Sequence, residues 1–333
     1  VEVLSPGTAI SEKYLDGREN NFLASIVFLK EMVGIAILDH STGEFHCGEW
    51  PMTSFKNVIQ QFSVKEILVS ENQFPLCESR LNDSQLFIST FPDWVADRDT
   101  GYGILTDHFK TNSLKGFGIE NLDSGICAAG AALNYVSQNF QNRINHITSV
   151  SLIQDESAMG LDPFTVKNLE VFSSLATQGV HGSLIGVMDR TATSSGSRLL
   201  KSWLRRPLTN LNRINERLSR VQEFYEHPEL LDSIRELLKE VYDIDRIIAR
   251  LATLKANPKD VVNLGESLAK IPQFKHVLKR GVPSLNKLIS STLSTSKIVE
   301  KIQLTLNNDP PINLQKGGVI QDGFSSKLDE LRQ

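Results

Sequence analysis

Carboxylates at strand ends are where two-metal nucleases hold their divalent ions, because several acidic oxygens must converge on cations only about 4 Å apart. Asp39 and Glu71 each end an expected strand and are the two candidates for that chemistry, although no third and fourth carboxylate is spaced to complete the cage. A nucleotide site asks for something else: glycines that bring backbone N–H groups to phosphate, and a lysine for charge. No G-x-x-x-x-G-K-[ST] occurs. Its nearest approach, Gly196-Ser197-Arg198-Leu199-Leu200-Lys201-Ser202, lacks the second glycine and is helix-forming where the loop would be. Gly101-Tyr102-Gly103 and Gly116-Phe117-Gly118 stop short of a third glycine and read as turns. No G-x-S-x-G elbow marks a nucleophile, and the histidines lack the i, i+4 spacing of a metal-binding helix. His40 and His46 flank a turn and read as solvated. Cys47, Cys77 and Cys127 are odd in number and far apart, which suits neither a disulfide framework nor a zinc site and fits a reducing cytosol. No catalytic, cofactor-binding or metal-binding residue is assigned.

The strongest local feature is basic. In the run 189–208, Thr193, Ser194 and Ser195 can cap a helix that Pro207 ends. On that helix Leu199, Leu200, Trp203 and Leu204 are expected to face inward. Arg198, Lys201 and Arg205 fall at i, i+3, i+7 on another face, with Arg206 beside them, and Arg213, Arg217 and Arg220 form a similar row on the next helix. Three uses are open for these cations: a phosphate-facing stripe, an interdomain clamp, or a solvated face paired with Glu216, Glu223 and Glu226.

The elements that would position these residues change character along the chain. Residues 22–29, 33–38 and 43–50 are short β-rich runs joined by turns, a meander of three strands. Phe55, Val58, Ile59 and Phe62 then follow the helical period, residues 66–70 and 85–91 return as strands, and an alanine-rich helix follows Asp123. That order points to a ribonuclease-H-like layered α/β fold. The second half is almost all helix, with stripes at Leu211, Ile214, Leu218, Val221 and Phe224, at Ile244, Ile247, Ile248, Leu251 and Leu254, and after Asn257-Pro258. A long run is expected from Ser284 to Leu306, and residues 325–333 begin a further helix.

With 40% AVILMFWYC content the chain has apolar material for more than one core. Its net charge of −4 hides an asymmetry. Residues 1–150 hold 10 Lys and Arg against 18 Asp and Glu, a net of −8, while residues 151–333 hold 25 against 21, a net of +4. A phosphate backbone would repel the first half and tolerate the second. No basic tail, secretory signal pattern or membrane-length apolar run is present.

Five ordered segments resemble the MutS family of DNA mismatch-repair proteins. Ser5-Pro6-Gly7-Thr8 with residues 16–24 is similar to the start of its connector domain, and Gly116-Phe117-Gly118-Ile119-Glu120 with Cys127-Ala128-Ala129-Gly130 to the connector's last helix. Asp189, Gly196, Arg198, Leu199, Trp203 and Pro207 match the signature that opens the core, or lever, domain. Asp243-Ile244-Asp245-Arg246, continuing to Arg250, resembles the D-x-E-R-x-x-x-R helix with Asp245 where Glu is usual, and residues 317–332 resemble the approach to the clamp. The resemblance implies a connector over 1–147 and a mostly helical lever over 148–333, cut from a longer cytoplasmic, nucleoid-associated protein. It implies that the parent binds mismatched double-stranded DNA, docks a MutL-type partner, dimerises, and uses ATP and Mg through an ATPase beyond this chain. The piece itself is then expected to be a monomer without enzymatic activity, coupling mismatch binding to that ATPase. Residues 99–110 are the expected docking patch. The rival expectation is a metal-dependent nuclease with a helical platform.

Overall fold

The computed structural model describes residues 5–81, 86–153 and 158–332. Near-continuous apolar runs build the first two strands and a partly alternating one the third: β1 (Leu23–Leu29), β2 (Met32–Asp39) and β3 (Glu44–Pro51) form an antiparallel meander. Helix α1 (Phe55–Gln61) carries the chain to β4 (Glu66–Ser70), which pairs parallel with β1, and α2 (Phe74–Leu81) carries it to β5 (Phe87–Phe91), parallel with β4. Residue 85, expected to open this last strand, lies outside the described residues. Helices α3 (Arg98–Phe109) and α4 (Ser124–Asn139) follow, then the short strand β6 (Ser151–Leu152) on β3, giving the order β5-β4-β1-β2-β3-β6.

Because strand side chains alternate between faces, the sheet has two cores. Leu23 and Val27 of β1 point toward α3 and α4, while Ala24, Ile26 and Phe28 point toward α1 and α2. Small residues set how closely α4 approaches. A Cβ on Gly34 would stand 1.9 Å from the Ser124 carbonyl oxygen, and one on Gly130 would stand 2.4 Å from the Gly101 backbone of α3. The N-terminus of α4 is capped from another element, since Glu49 Oε1 accepts from Asp123 N–H at 2.6 Å, Ser124 Oγ at 3.0 Å and Gly125 N–H at 2.8 Å.

The remaining helices are α5 (Pro163–Asn168), α6 (Leu184–Met188), α7 (Ser194–Arg205), α8 (Leu211–Glu226), α9 (Pro228–Lys239), α10 (Ile244–Ala252), α11 (Pro258–Ala269), α12 (Ile271–Gly281), α13 (Asn286–Ser291), α14 (Ser296–Thr305) and α15 (Ser326–Arg332). Asn257 and Asp260 cap α11 reciprocally, at 3.0 and 2.9 Å, with Pro258 in the first turn as the sequence predicts. The long run expected from Ser284 to Leu306 is two helices instead. Thr292 leaves α13 in an extended conformation, and the segment Thr292-Leu293-Ser294-Thr295 separates it from α14. Hydroxyl side chains there reach backbone carbonyls, Thr292 Oγ1 to Leu288 at 2.9 Å and Thr295 Oγ1 to Leu268 at 3.3 Å, and compete with continuous helix.

The chain divides into two compact units. The first runs to Arg190 and takes in Ser197–Thr209 and Ile248–Leu254; the second holds Thr191–Gly196, Asn210–Ile247 and residues from Lys255 onward. Most of α7 and the second half of α10 therefore belong with the sheet. In the second unit Leu230, Ile234 and Val282 make a small core between α9 and α12, and α11 meets α14 where Gly265 lies under Ile302.

Candidate functional site

The basic run of α7 folds opposite to its expected orientation. Thr193 Oγ1 accepts from Gly196 N–H at 3.1 Å and starts the helix, as its hydroxyl type predicts. From there Arg198, Lys201 and Arg205 are buried, at 5%, 8% and 9% exposure, whereas Leu199 is 53% and Trp203 38% exposed. Acceptors explain the inversion, because a buried cation is tolerated only where oxygens replace its water. Arg198 Nη1 donates to the Gly17 carbonyl at 2.9 Å, and Lys201 Nζ donates to the Arg18 carbonyl at 3.0 Å and to the Glu19 carboxylate. Arg205 Nη2 lies 3.5 Å from Glu19 Oε2, and its guanidinium stacks 4.9 Å from the Phe172 ring centroid. Burial pushes Arg205 below its ordinary value, against the pull of Glu19 and Glu44.

Of the other signature residues, Asp189, Pro207 and Arg250 lie in the same unit and Arg246 in the second. Asp189 accepts from Ser197 Oγ at 2.6 Å and faces Arg18 Nη1 at 3.5 Å. The Pro207 carbonyl accepts from Met159 N–H at 2.7 Å. Arg206 lies over Phe62 at 5.9 Å, and Gln61 Nε2 donates to the Arg205 carbonyl at 3.1 Å. On α10, Arg250 is buried and its Nη1 meets Glu12 Oε1 at 2.9 Å, while Arg246, also buried, lies 3.9 Å from Asp243. Glu12, Glu19 and the Gly17 and Arg18 carbonyls were not singled out as partners by the sequence reading. The signal that touches the last three is the resemblance of residues 16–24 to the start of the connector.

The row on α8 behaves differently. Arg213 and Arg220 are exposed and Arg217 is half-buried. Arg217 is pushed down by partial burial and then by repulsion from Arg213 and Arg220 on either side. The apolar stripe beside them is open as well, with Leu211, Leu218 and Val221 exposed.

The two nuclease candidates are not brought together. β1 runs antiparallel to β2 and parallel to β4, so Leu38 lies beside Leu23 while Val69 lies beside Ile26. Asp39 and Glu71 consequently lie at opposite ends of the sheet, about 20 Å apart at ~3.3 Å per residue. Asp39 is fully buried and saturated by donors: Asn20 Nδ2 at 3.0 Å, Asn21 N–H at 3.1 Å, and Ser41 N–H and Oγ at 2.9 and 2.7 Å. Its work is to hold a turn. His40, expected in solvent, is also buried, with its ring 4.1 Å from Phe140 and 4.9 Å from His146. Burial, then repulsion from His146, pushes its imidazole well below the ordinary value. Burial likewise lowers His146, whose Nε2 bonds the His40 carbonyl at 2.8 Å. Among the described residues no group of three or more His, Cys, Asp or Glu is placed to hold a metal ion. The cysteine thiols are buried and inert: Cys47 and Cys77 are pushed up to about 12 and Cys127 to about 11, each first by desolvation.

A mixed sheet followed by helices, with signature arginines spent on holding helices to loops, defines a multidomain α/β-plus-helical protein whose charged residues do structural work. Family models agree with that division: MutS domain II matches residues 21–148 and MutS domain III matches residues 164–332. The chain belongs to the MutS family of DNA mismatch-repair proteins. It is 38% identical over 333 residues to the DNA mismatch repair protein MutS of Bacteroides fragilis (strain YCH46), covering 100% of this chain and 38% of that protein. The MutS of Flavobacterium johnsoniae is 37% identical over 335 residues, with 99% and 38% covered, and that of Salinibacter ruber 33% over 337 residues, with 100% and 37% covered. This chain thus spans about 38% of the length of such relatives. No helix among the described residues is long and apolar enough to cross a membrane.

Proposed function

We propose that this chain is the connector and lever of a mismatch-recognition protein, with the connector over 1–147 and the lever over 148–333, and that it couples mismatch binding to an ATPase elsewhere in the parent. The match to MutS relatives over the whole chain carries this reading. The strand order β3-β2-β1-β4-β5 with β2 antiparallel to its neighbours supports a ribonuclease-H-like connector. On this reading the parent binds mismatched duplex DNA as a cytoplasmic, nucleoid-associated homodimer that uses ATP and Mg, whereas the piece is monomeric and hydrolyses no ATP. A MutL-type partner docks on α3, whose Asp99 and Asp107 are exposed. Arg213, Arg217 and Arg220 supply the weak attraction to phosphate. Binding of the chain to an immobilised MutL-type repair protein tests the docking step. Capture that Asp99→Lys/Asp107→Lys weakens is expected, and no capture at any salt concentration overturns it. Titration against a labelled duplex tests the lever, with weak binding that falls steeply with salt expected and salt-indifferent affinity contradicting it.

A further inference from the structure

Residues 11–20 run between two buried anchors. Ile10 belongs to the core on one face of the sheet, and Asn20, Asn21 and Phe22 are buried at the other end. No side chain from 11 to 19 is fully buried. Turns from Ser11 to Tyr14, at 3.0 Å, and from Asp16 to Glu19, at 3.3 Å, fold the backbone between the anchors. The middle of the segment is held by charge and by carbonyls aimed at cations. Glu12 meets Arg250 of α10, Gly17 and Arg18 offer carbonyls to Arg198 and Lys201, Glu19 receives Lys201 and Arg205, and Arg18 meets Asp189. Every ion pair in this set joins a buried or nearly buried group on the helix side to a more exposed one on the segment: the side chains of Glu12, Glu19 and Arg18 are 70%, 37% and 53% exposed.

That asymmetry has two consequences. Mobile ions reach the exposed member of each pair, so salt weakens these contacts far more than the apolar cores of the sheet. Residues 11–20 supply acceptors to the buried helix cations, beside the pull of Glu44 on Arg198 and Arg205, and withdrawing acceptors from a buried cation is costly. Losing the segment must therefore loosen α7 and the second half of α10, while β1 to β4 keep their own cores.

We propose that residues 11–20 are a releasable strap, an electrostatically fastened segment that clamps α7 and the Arg250 half of α10 to the sheet unit and lets them go as ionic strength rises, without unfolding the sheet. This goes beyond the repair reading and does not depend on DNA, nucleotide or a partner protein.

Hydrogen–deuterium exchange of the full chain, followed by mass spectrometry at about 0.05 M and about 1 M salt, where the screening length falls several-fold, tests it. The expected result is a loss of protection of about tenfold across 11–20 and 197–205 in high salt, with β1 and β2 unchanged. Glu19→Gln is expected to give the same local loss at low salt, and Glu19→Asp, which keeps the negative charge facing Lys201 and Arg205, to retain more of the protection. Protection in 11–20 indifferent both to salt and to Glu19→Gln overturns the proposal, as does a loss that spreads to β1 and β2. The salt series on the unmodified chain decides the matter even where a variant fails to fold.

Discussion

Helices α4 and α7 both carry an apolar stripe and a contrasting face, yet they bury opposite ones. In α4 the alanines, Leu133 and Val136 lie under the sheet. In α7 the cations go inward and Leu199 and Trp203 face out. Periodicity supplies the angle between faces but not the identity of the face that meets a partner. For α4 the neighbour is a sheet with glycine at the point of approach, so shape and hydrophobicity agree. For α7 the neighbour is a loop of carbonyls and carboxylates, and hydrogen bonds to fixed acceptors outweigh the gain from covering Leu199 and Trp203.

The contrast can be broken first at α4. Gly34→Ala puts a methyl group into the Ser124 carbonyl, and a loss of about 3 kcal/mol or more in chemical denaturation is expected. Leu133→Ala, at a position 1% exposed, should lose about 3 kcal/mol through transfer and cavity terms together. On α7, Lys201→Met keeps the length of the side chain but leaves the Arg18 carbonyl and Glu19 without their cation. About 2 kcal/mol is expected, less than for a fully buried pair because Glu19 is partly exposed.

A smaller effect, from pH, comes from the α4 side. His40 and His146 are held below 6.5 in the folded protein, so the unfolded chain binds more protons as pH drops past that value. Stability is full above about 6.5, declines below it, and stops declining once the folded-state values are passed. A denaturation midpoint flat between pH 8 and pH 5 would contradict this assignment. The smallest change is expected from Leu199→Ala, within about 0.5 kcal/mol, and a loss matching that of Leu133→Ala would erase the distinction between the two helices.

Most of the sheet was legible in the sequence. The readings 22–29, 33–38, 43–50 and 66–70 fall within a residue of β1 to β4 at each end, because strands buried on both faces are bounded sharply by turn residues such as Thr42-Gly43. Helices with capping signals, α11 above all, were legible for the same reason. The run after Ser284 was not, since a hydrophobic stripe continues across the Thr292–Thr295 break and only the clustered hydroxyls betray it. The basic site was half legible. The spacing of Arg198, Lys201 and Arg205 placed them on one face, but their partners lie some 180 residues earlier, a distance over which no local pattern reports. For Asp39, weighed as a metal-site candidate and not assigned, the sequence shows a carboxylate at a strand end but not the asparagines and serine that saturate it.

One oxygen of Glu49 gathers three donors from the first turn of α4. The same helix is also gripped along its sides, where backbone meets backbone at Gly34 and Gly130, so this carboxylate sets where the helix begins and the close approaches set its tilt. Glu49→Gln exchanges a charged acceptor for a neutral one at that end only, and the interlocked flanks are expected to keep the helix seated.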